Sequence, residues 1–479
     1  MEPQVSLSSL PFDILDGIAF AIEDRRDLLD LALTSHQFHD LIFPKHIHYR
    51  ILSCNPLDNK IWRILRDNPG IASRFSHLAL GFDYDLKDRS SRTSCLRNAY
   101  HFKKTWFRPR HVRSTALSQA VSQICNIVQF TWHYTHDHEI EIEHLSKCKR
   151  LEMMDFTMRG RVKVPERDLD TLLSCIVMPA RSYRRLRKLR LELMEAYSRT
   201  TFIHAFFFKI LQSRCPALMD LRLTISRNAL LFLLHKITLP SLNRLSLTQL
   251  PHKPPEESTM PWIQFFQRHT RLECLLIDTI DAVPIEALTA QSLPNLRRLS
   301  FPDGSCSGYL PPFSQDLIHN LTCIDNFVAP SVFPHYGYLP KLKIFRGIIT
   351  GGTMLLLMLQ YAPNLERLEG GEDPCWYHPY EDAICVLTQF QHLTHIGLGL
   401  FFNVRTELLH TVTNDFRNMK GLKYLRLPGN PDTDSLFLWM RLLREENGNR
   451  VIGTELLKGK DLLGVNPNYW GNFFRDIDS

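Results

Sequence analysis

Leu239-Pro-Ser-Leu242-Asn-Arg-Leu245-Ser-Leu247, or LPSLNRLSL, is the stretch whose reading decides the fold. Its leucines follow L-x-x-L-x-L. In a strand, positions i+3 and i+5 share a face, and a preceding bend brings position i onto that face as well. The same spacing returns at Leu151/Met154/Phe156, Leu186/Leu189/Leu191, Leu218/Leu221/Leu223, Leu272/Leu275/Ile277, Leu296/Leu299/Phe301, Leu365/Leu368, Leu393/Ile396/Leu398 and Leu422/Leu425/Leu427. Weaker copies stand at Leu321/Ile324 and Leu342/Phe345. The lead-in recurs too, as Cys215-Pro-x-Leu218, Leu293-Pro-x-Leu296, Leu339-Pro-x-Leu342 and Ala362-Pro-x-Leu365. Spacings of about 21 to about 35 residues mark a repeat architecture, because no single copy buries its own leucines and stacked copies do.

Between the predicted strands lie Ile203–Leu211, Trp262–Arg268 and Met354–Tyr361, each long enough for two turns of helix or more. The expected fold class is therefore α/β: an irregular solenoid with parallel strands on a concave face and helices on a convex one. This resembles the leucine-rich repeats of fungal and animal proteins that carry an F-box ahead of them. Only the last good copy, ending at Asn430, has the asparagine that family places after the strand.

The N-terminus reads differently. Leu10 to Leu52 places Ile14, Leu15, Ile18 and Ile22 at helical spacing after Pro11, which can occupy a first helical turn. After a polar break at Glu23–Arg26, a second helical run carries Leu28, Leu31, Ser35 and Phe38 on one face, broadened by Leu29 and Leu33. A third short segment from Pro44 carries Ile47 and Ile51. Three helices this short bury little apolar surface alone, so a partner or the rest of the chain should cover them. Leu10-Pro11, Ile14-Leu15, Asp27-Leu28-Leu29, Ser35-x-x-Phe38 and Leu41-Ile42 are similar to the F-box motif, with Asp13 where that family often has Glu and Phe38 where many members have Trp. The resemblance implies docking on a Skp-type adaptor and through it on a cullin scaffold. It implies adaptor contacts from Leu10, Pro11, Ile14, Leu15, Ile18, Leu28, Leu29 and Phe38, with Ile47 and Ile51 facing the body. The resulting division is F-box 1–52, helical linker 53–75, repeats 76–430 with a basic insertion near 83–113, and a C-terminal cap 431–479.

Composition agrees. The 479 residues are 44% hydrophobic and 22% charged, as in a globular protein, with a mild net charge of +7. MEPQVSLSSL lacks the basic and apolar regions of a signal peptide, and no apolar run approaches a membrane span. Eleven cysteines without paired or framework spacing fit buried free thiols in a reducing, intracellular compartment, cytoplasmic or nuclear.

The remaining stretches read as scaffold. Ile61, Trp62, Ile64 and Leu65 mark a linker helix, and Ser76 to Phe82 a first strand. Lys103, Lys104, Arg108, Arg110 and Arg113 around Trp106 and Phe107 read as a solvated insertion rather than a nucleic-acid patch. Leu250 to Trp262 is a Pro-rich loop, Ser435–Leu443 an amphipathic helix, and Tyr469, Trp470, Phe473 and Phe474 belong to the cap. Nucleotide-binding and metalloprotease motifs are absent. Gly304-Ser-Cys306-Ser-Gly308 runs into Tyr309-Leu-Pro-Pro rather than a helix, which fails the nucleophile-elbow context. His133, His136, Asp137, His138, Glu139 and His144 read as a polar loop sooner than a metal site. No cofactor and no enzyme activity of its own is expected.

What remains is binding. Positions i+2 and i+4 of each repeat should face outward on the concave sheet. They carry Lys188, Arg190, Arg222, Arg244, Arg298, Arg346, Arg367 and Arg426. Guanidinium groups pair bidentately with carboxylates and phosphates, so an acidic or phosphorylated segment of a protein target is the expected ligand. The bland reading of the same arginines is that they pair with neighbouring acids and keep the sheet in solution. The expected role is a substrate-recognition subunit of an SCF-type cullin–RING ubiquitin ligase; the alternative is a ligase-independent repeat scaffold.

Overall fold

The leucine triplets fold as their spacing asks. In the computed structural model of the chain, Leu186, Leu189 and Leu191 are all buried around one short strand, as are Leu242, Leu245 and Leu247 around another. The structure describes residues 7, 10–22, 25–43, 46, 51–54, 59–80, 119–120, 123–134, 145, 148–158, 183–193, 201–212, 215–224, 227–248, 259–277, 283–284, 287–300, 314–328, 333–334, 336–349, 352–370, 380–397, 416, 419–428, 437–445 and 451–456.

The chain forms two units. The first comprises Met1–Thr224 with Leu239–Ser241. It opens on helices α1 (Phe12–Ala21), α2 (Arg25–Leu33) and α3 (His36–Ile42), followed by strand β1 (Ile51–Cys54) and helices α4 (Asn59–Asp67) and α5 (Pro69–Ala72). Strands β2 (His77–Leu80), β3 (Gln129–Tyr134), β4 (Met153–Met158) and β5 (Lys188–Leu193), helix α6 (Thr201–Gln212) and strand β6 (Asp220–Thr224) complete it. From β1 to β6 each strand pairs parallel with the next. Behind the sheet the core is aromatic: Phe156 packs against Phe130, Trp132 and Phe207 with ring centroids 5.5, 5.8 and 4.9 Å away.

The second unit, Ile225–Thr238 and Leu242–Ser479, alternates strand and helix more regularly. In order it contains α7 (Arg227–Lys236), β7 (Arg244–Thr248), α8 (Thr259–Arg268), β8 (Cys274–Ile277), β9 (Arg298–Ser300), α9 (Gln315–Asn320), β10 (Cys323–Val328) and β11 (Ile344–Ile348). After these come α10 (Gly352–Tyr361), β12 (Arg367–Gly370), α11 (Tyr380–Leu387), β13 (His395–Gly397) and β14 (Tyr424–Pro428). The eight strands β7 to β14 pair in chain order and all parallel. Their register sets Leu245, Leu275, Leu299, Ile324, Phe345, Leu368, Ile396 and Leu425 in one row, every member buried. Each such side chain contributes about 1.5–3 kcal/mol by leaving water. Repeats of parallel strand and helix on one leucine column fit a leucine-rich-repeat solenoid.

Two of the turns between repeats are tied by asparagine. In the Pro-x-Leu lead-ins, Asn295 Nδ2 donates to the Thr270 carbonyl and Asn364 Nδ2 to the Pro340 carbonyl, each at 2.8 Å, one repeat back. These bonds satisfy turn carbonyls that the strand ladder leaves over.

Several expectations are corrected. The run from Leu28 to Phe38 is two helices: Ser35 accepts from the Phe38 N–H at 3.2 Å and caps α3, so it lies on no helical face. Pro11 stands at the N-cap of α1, one position before its first turn. Ile51 opens strand β1, which makes β2 the second strand and puts a strand inside what reads as helix and linker. The end of the Pro-rich stretch is helical: Pro261 is buried in the first turn of α8, where its missing N–H costs nothing. Strand β3 carries a further repeat, Ile127-x-x-Phe130-x-Trp132, in which aromatic residues replace leucine.

The largest correction is at the C-terminus. The expected helix is strand from Phe437 on: β15 (Phe437–Arg444) adds antiparallel to β14, and β16 (Val451–Leu456) adds antiparallel to β15. Leu436, Met440 and Leu443 fit a helical period, but the open edge of β14 rewards the competing period of two, with Met440 and Leu442 inward. Leu442→Ala is therefore expected to cost about 2–5 kcal/mol, and Leu443→Ala under about 0.5 kcal/mol, in urea unfolding. A helix would reverse the two, since it would turn Leu443 inward with Met440.

Candidate functional site

Opposite the leucines, the strands carry their polar residues in two rows set by the same register. In the second unit one row runs Ser300, Asp325, Arg346, Glu369, Gly397, with Arg426 following. The other runs Arg244, Cys274, Arg298, Cys323, Ile344, Arg367, His395, Tyr424. Neighbouring strands lie about 4.8 Å apart, so long side chains cover one another's stems. The expectation of an openly solvated face is corrected accordingly: Arg244, Arg298, Arg346 and Arg367 are 8%, 3%, 5% and 7% exposed. Arg190, Arg222 and Arg426 are half-buried, and Lys188 alone of the eight is exposed.

Charge alternates along the buried row. Arg346 lies 3.5 Å from Asp325 and 3.1 Å from Glu369, Arg367 pairs with the same Glu369, and Arg298 reaches Asp325 at 3.4 Å. Glu369 is thus held by several guanidinium groups. Burial by itself would raise its pKa, but Arg367, Arg346 and Arg426 outweigh that and hold the carboxyl at about 2. Arg426 acts across Gly397. A Cβ there would stand 3.1 Å from Arg426 Cδ and 3.2 Å from Glu369 Cγ, so the missing side chain is what lets the two approach.

In the first unit the pairing is local. Arg190 lies 3.6 Å from Asp155 and also pairs with Glu192, while Arg222 Nε lies 3.4 Å from Asp220. Burial lowers the Arg222 pKa; Asp220 works against that, and the like charge of Arg190 adds to it. Arginines expected to await a ligand therefore already meet carboxylates.

The N-terminal set divides between core and surface. Leu15, Leu28 and Phe38 join Ala19, Ala32, Leu41 and Ile42 in the interior of the helical module, so they hold the helices together instead of facing a partner. Leu10 packs partly against that core, Ile18 is half-buried, and Pro11, Ile14 and Leu29 are exposed. Phe12 and Leu33, absent from the expected set, are 51% and 73% exposed. His46 Nε2 donates to Asp16 at 2.9 Å, and Arg150 sits 4.8 Å from the Phe20 ring, tying α1 to the turn before β4. Asp13, Asp16, Phe20, His46 and Arg74 line a cavity of about 510 Å³ there.

Other candidates lie outside the described residues: Ile47, the basic stretch of Lys103, Lys104, Arg108, Arg110 and Arg113, Gly304 to Gly308, His136, Asp137, His138, Glu139 and His144, and the aromatic tail. Of the described cysteines, Cys54, Cys148, Cys215, Cys274 and Cys323 are buried, whereas Cys125 and Cys385 are exposed against expectation. Among the described residues no helix is long and apolar enough to cross a membrane.

No family model and no curated protein matches the chain. Among solved structures, the Toll–Spatzle complex of Drosophila is similar over 84% of this chain and 52% of its own, at 12% identity and a TM-score of 0.32. This chain thus spans about half the length of that one. A Bacteroides fragilis protein is similar over 72% and 64%, at 10% identity and a TM-score of 0.20. Likenesses this distant assign no activity.

The Glu369 contacts have a pH consequence. A carboxyl with a depressed folded pKa contributes stability that is present above its unfolded value near 4.3 and lost as pH falls towards about 2. Glu369→Gln is expected to cost about 3–5 kcal/mol at pH 7. Because this group's titration is removed, the variant's unfolding free energy should fall less steeply than wild type between pH 5 and 2. Equal slopes would show that Glu369 is not held by these arginines.

Proposed function

We propose that the chain is a substrate-recognition subunit of an SCF-type cullin–RING ubiquitin ligase, docking on a Skp-type adaptor through α1–α3 and on a protein target through the repeats. The carrying observation is the apolar surface of the N-terminal helices. Phe12, Ile14, Leu29 and Leu33 stay exposed while a small core of Leu15, Leu28, Phe38 and Leu41 is filled beneath them. Exposed large apolar residues gathered on two short helices are what an interaction surface needs and what a bare surface avoids. The F-box-like order of Leu10-Pro11, Ile14-Leu15 and Leu28-Leu29 supports the choice of partner.

Such a subunit does no bond chemistry. Its effect is positional: two docking surfaces on one chain raise the local concentration of a target lysine beside a charged conjugating enzyme.

The exposed residues permit a clean test. Ile14→Asp and Leu29→Asp should abolish co-purification of a Skp-type adaptor while leaving the circular dichroism spectrum unchanged. Leu15→Ala should instead destabilise the chain by about 2–5 kcal/mol. If wild type retains no adaptor, the ligase role fails and the repeats stand as a scaffold of their own.

A further inference from the structure

The cavity beside His46 is drawn from separate parts of the first unit. Asp13, Asp16 and Phe20 come from α1, Arg74 from the turn after α5, and Asn126 from just ahead of β3. Its volume of about 510 Å³ lies within the roughly 300–1,000 Å³ of small-molecule sites. Several of its lining groups are already committed. Asp16 accepts from His46, which is 4% exposed, Arg150 sits over the Phe20 ring, and Asn126 Nδ2 donates to the Ser73 carbonyl at 2.8 Å.

Two charges on the lining are not committed. Among the described residues, the Asp13 carboxylate and the Arg74 guanidinium make no ion pair and no side-chain hydrogen bond, with each other or with any other group. Arg74 is half-buried, where a guanidinium without a partner is disfavoured. A simple anion entering here would meet the carboxylates of Asp13 and Asp16. A simple cation would leave Arg74 as it is. A ligand that carries both charges answers both residues at once.

We infer that this cavity binds a free α-amino acid with an aromatic side chain, its carboxylate on Arg74, its ammonium on Asp13 and its ring against Phe20. A guanidinium takes a carboxylate in two parallel hydrogen bonds, and an ammonium donates to a carboxylate by charge-assisted ones. Phe20 is half-buried, so part of its ring is left to the cavity, and ring-to-ring contact favours an aromatic side chain over an aliphatic one. Such a ligand would clamp α1 to the turn after α5. The site uses none of the adaptor-facing side chains and no part of the polar rows of the sheet, so it stands or falls apart from the proposed ligase role.

The test is calorimetric titration of the full chain with three probes: L-phenylalanine, N-acetyl-L-phenylalanine, which lacks the ammonium, and L-phenylalanine amide, which lacks the carboxylate. Saturable binding of L-phenylalanine is expected, with each blocked form roughly tenfold weaker or more. Asp13→Asn and Arg74→Gln remove charges that support no contact within the fold, and each should weaken L-phenylalanine to a similar degree. The decisive readout is selectivity. Asp13→Asn should bind L-phenylalanine no better than the N-acetyl form while still rejecting the amide, and Arg74→Gln should show the converse. A merely structural role for either residue would weaken all three probes alike. No saturable binding of L-phenylalanine by wild type, equal binding of the three probes, or variants that leave the selectivity of wild type in place overturns the inference.

Discussion

In-register parallel pairing is the constraint on which this protein depends. It sets the same position of successive repeats against one another about 4.8 Å apart. On one face this is favourable without further arrangement, because leucine meets leucine, and the row from Leu245 to Leu425 becomes a core that no repeat could build alone. On the other face the same geometry is a problem, since like charges directly opposite repel.

The second unit answers by alternating charge along the row: Asp325, Arg346, Glu369, then Arg426 across the gap at Gly397. In the first unit, where Arg190 faces Arg222 directly, each arginine leans on an acid of its own or a neighbouring strand. Buried pairs of this kind are costly to break and contribute little net stability once desolvation is counted. The alternation of charge also opposes mispairing of the strands. Skipping one repeat would set Asp325 against Glu369 and leave Arg346 against Gly397, without its carboxylates. The arginines most prominent in the sequence therefore belong mainly to the scaffold.

The N-terminal helices follow the same division between holding the fold and meeting a partner. Three short helices enclose only a few side chains, and Leu15, Leu28 and Phe38 are used up in doing so. Residues at adjacent sequence positions, Ile14 beside Leu15 and Leu29 beside Leu28, are turned about 100° away on the helix and remain outside. Interaction and core thus alternate within single motif words.

The sequence by itself determined the repeat architecture, the alternation of strand and helix, and the leucines and weaker copies that make the column, including Leu321/Ile324 and Leu342/Phe345. These are local patterns in which spacing alone decides which side chains share a face. It also placed Gly397 among the arginines and asparagine in the Pro-x-Leu turns, without indicating why. Only the tertiary structure decided how those residues act, because the reasons lie on other strands: Arg426 reaching across Gly397 to Glu369, Asn295 bonding one repeat back. The same holds for β15, where Phe437–Arg444 satisfies both a helical and a strand period. The free edge of β14 selects the strand, and an edge belongs to a sheet rather than to any segment of sequence.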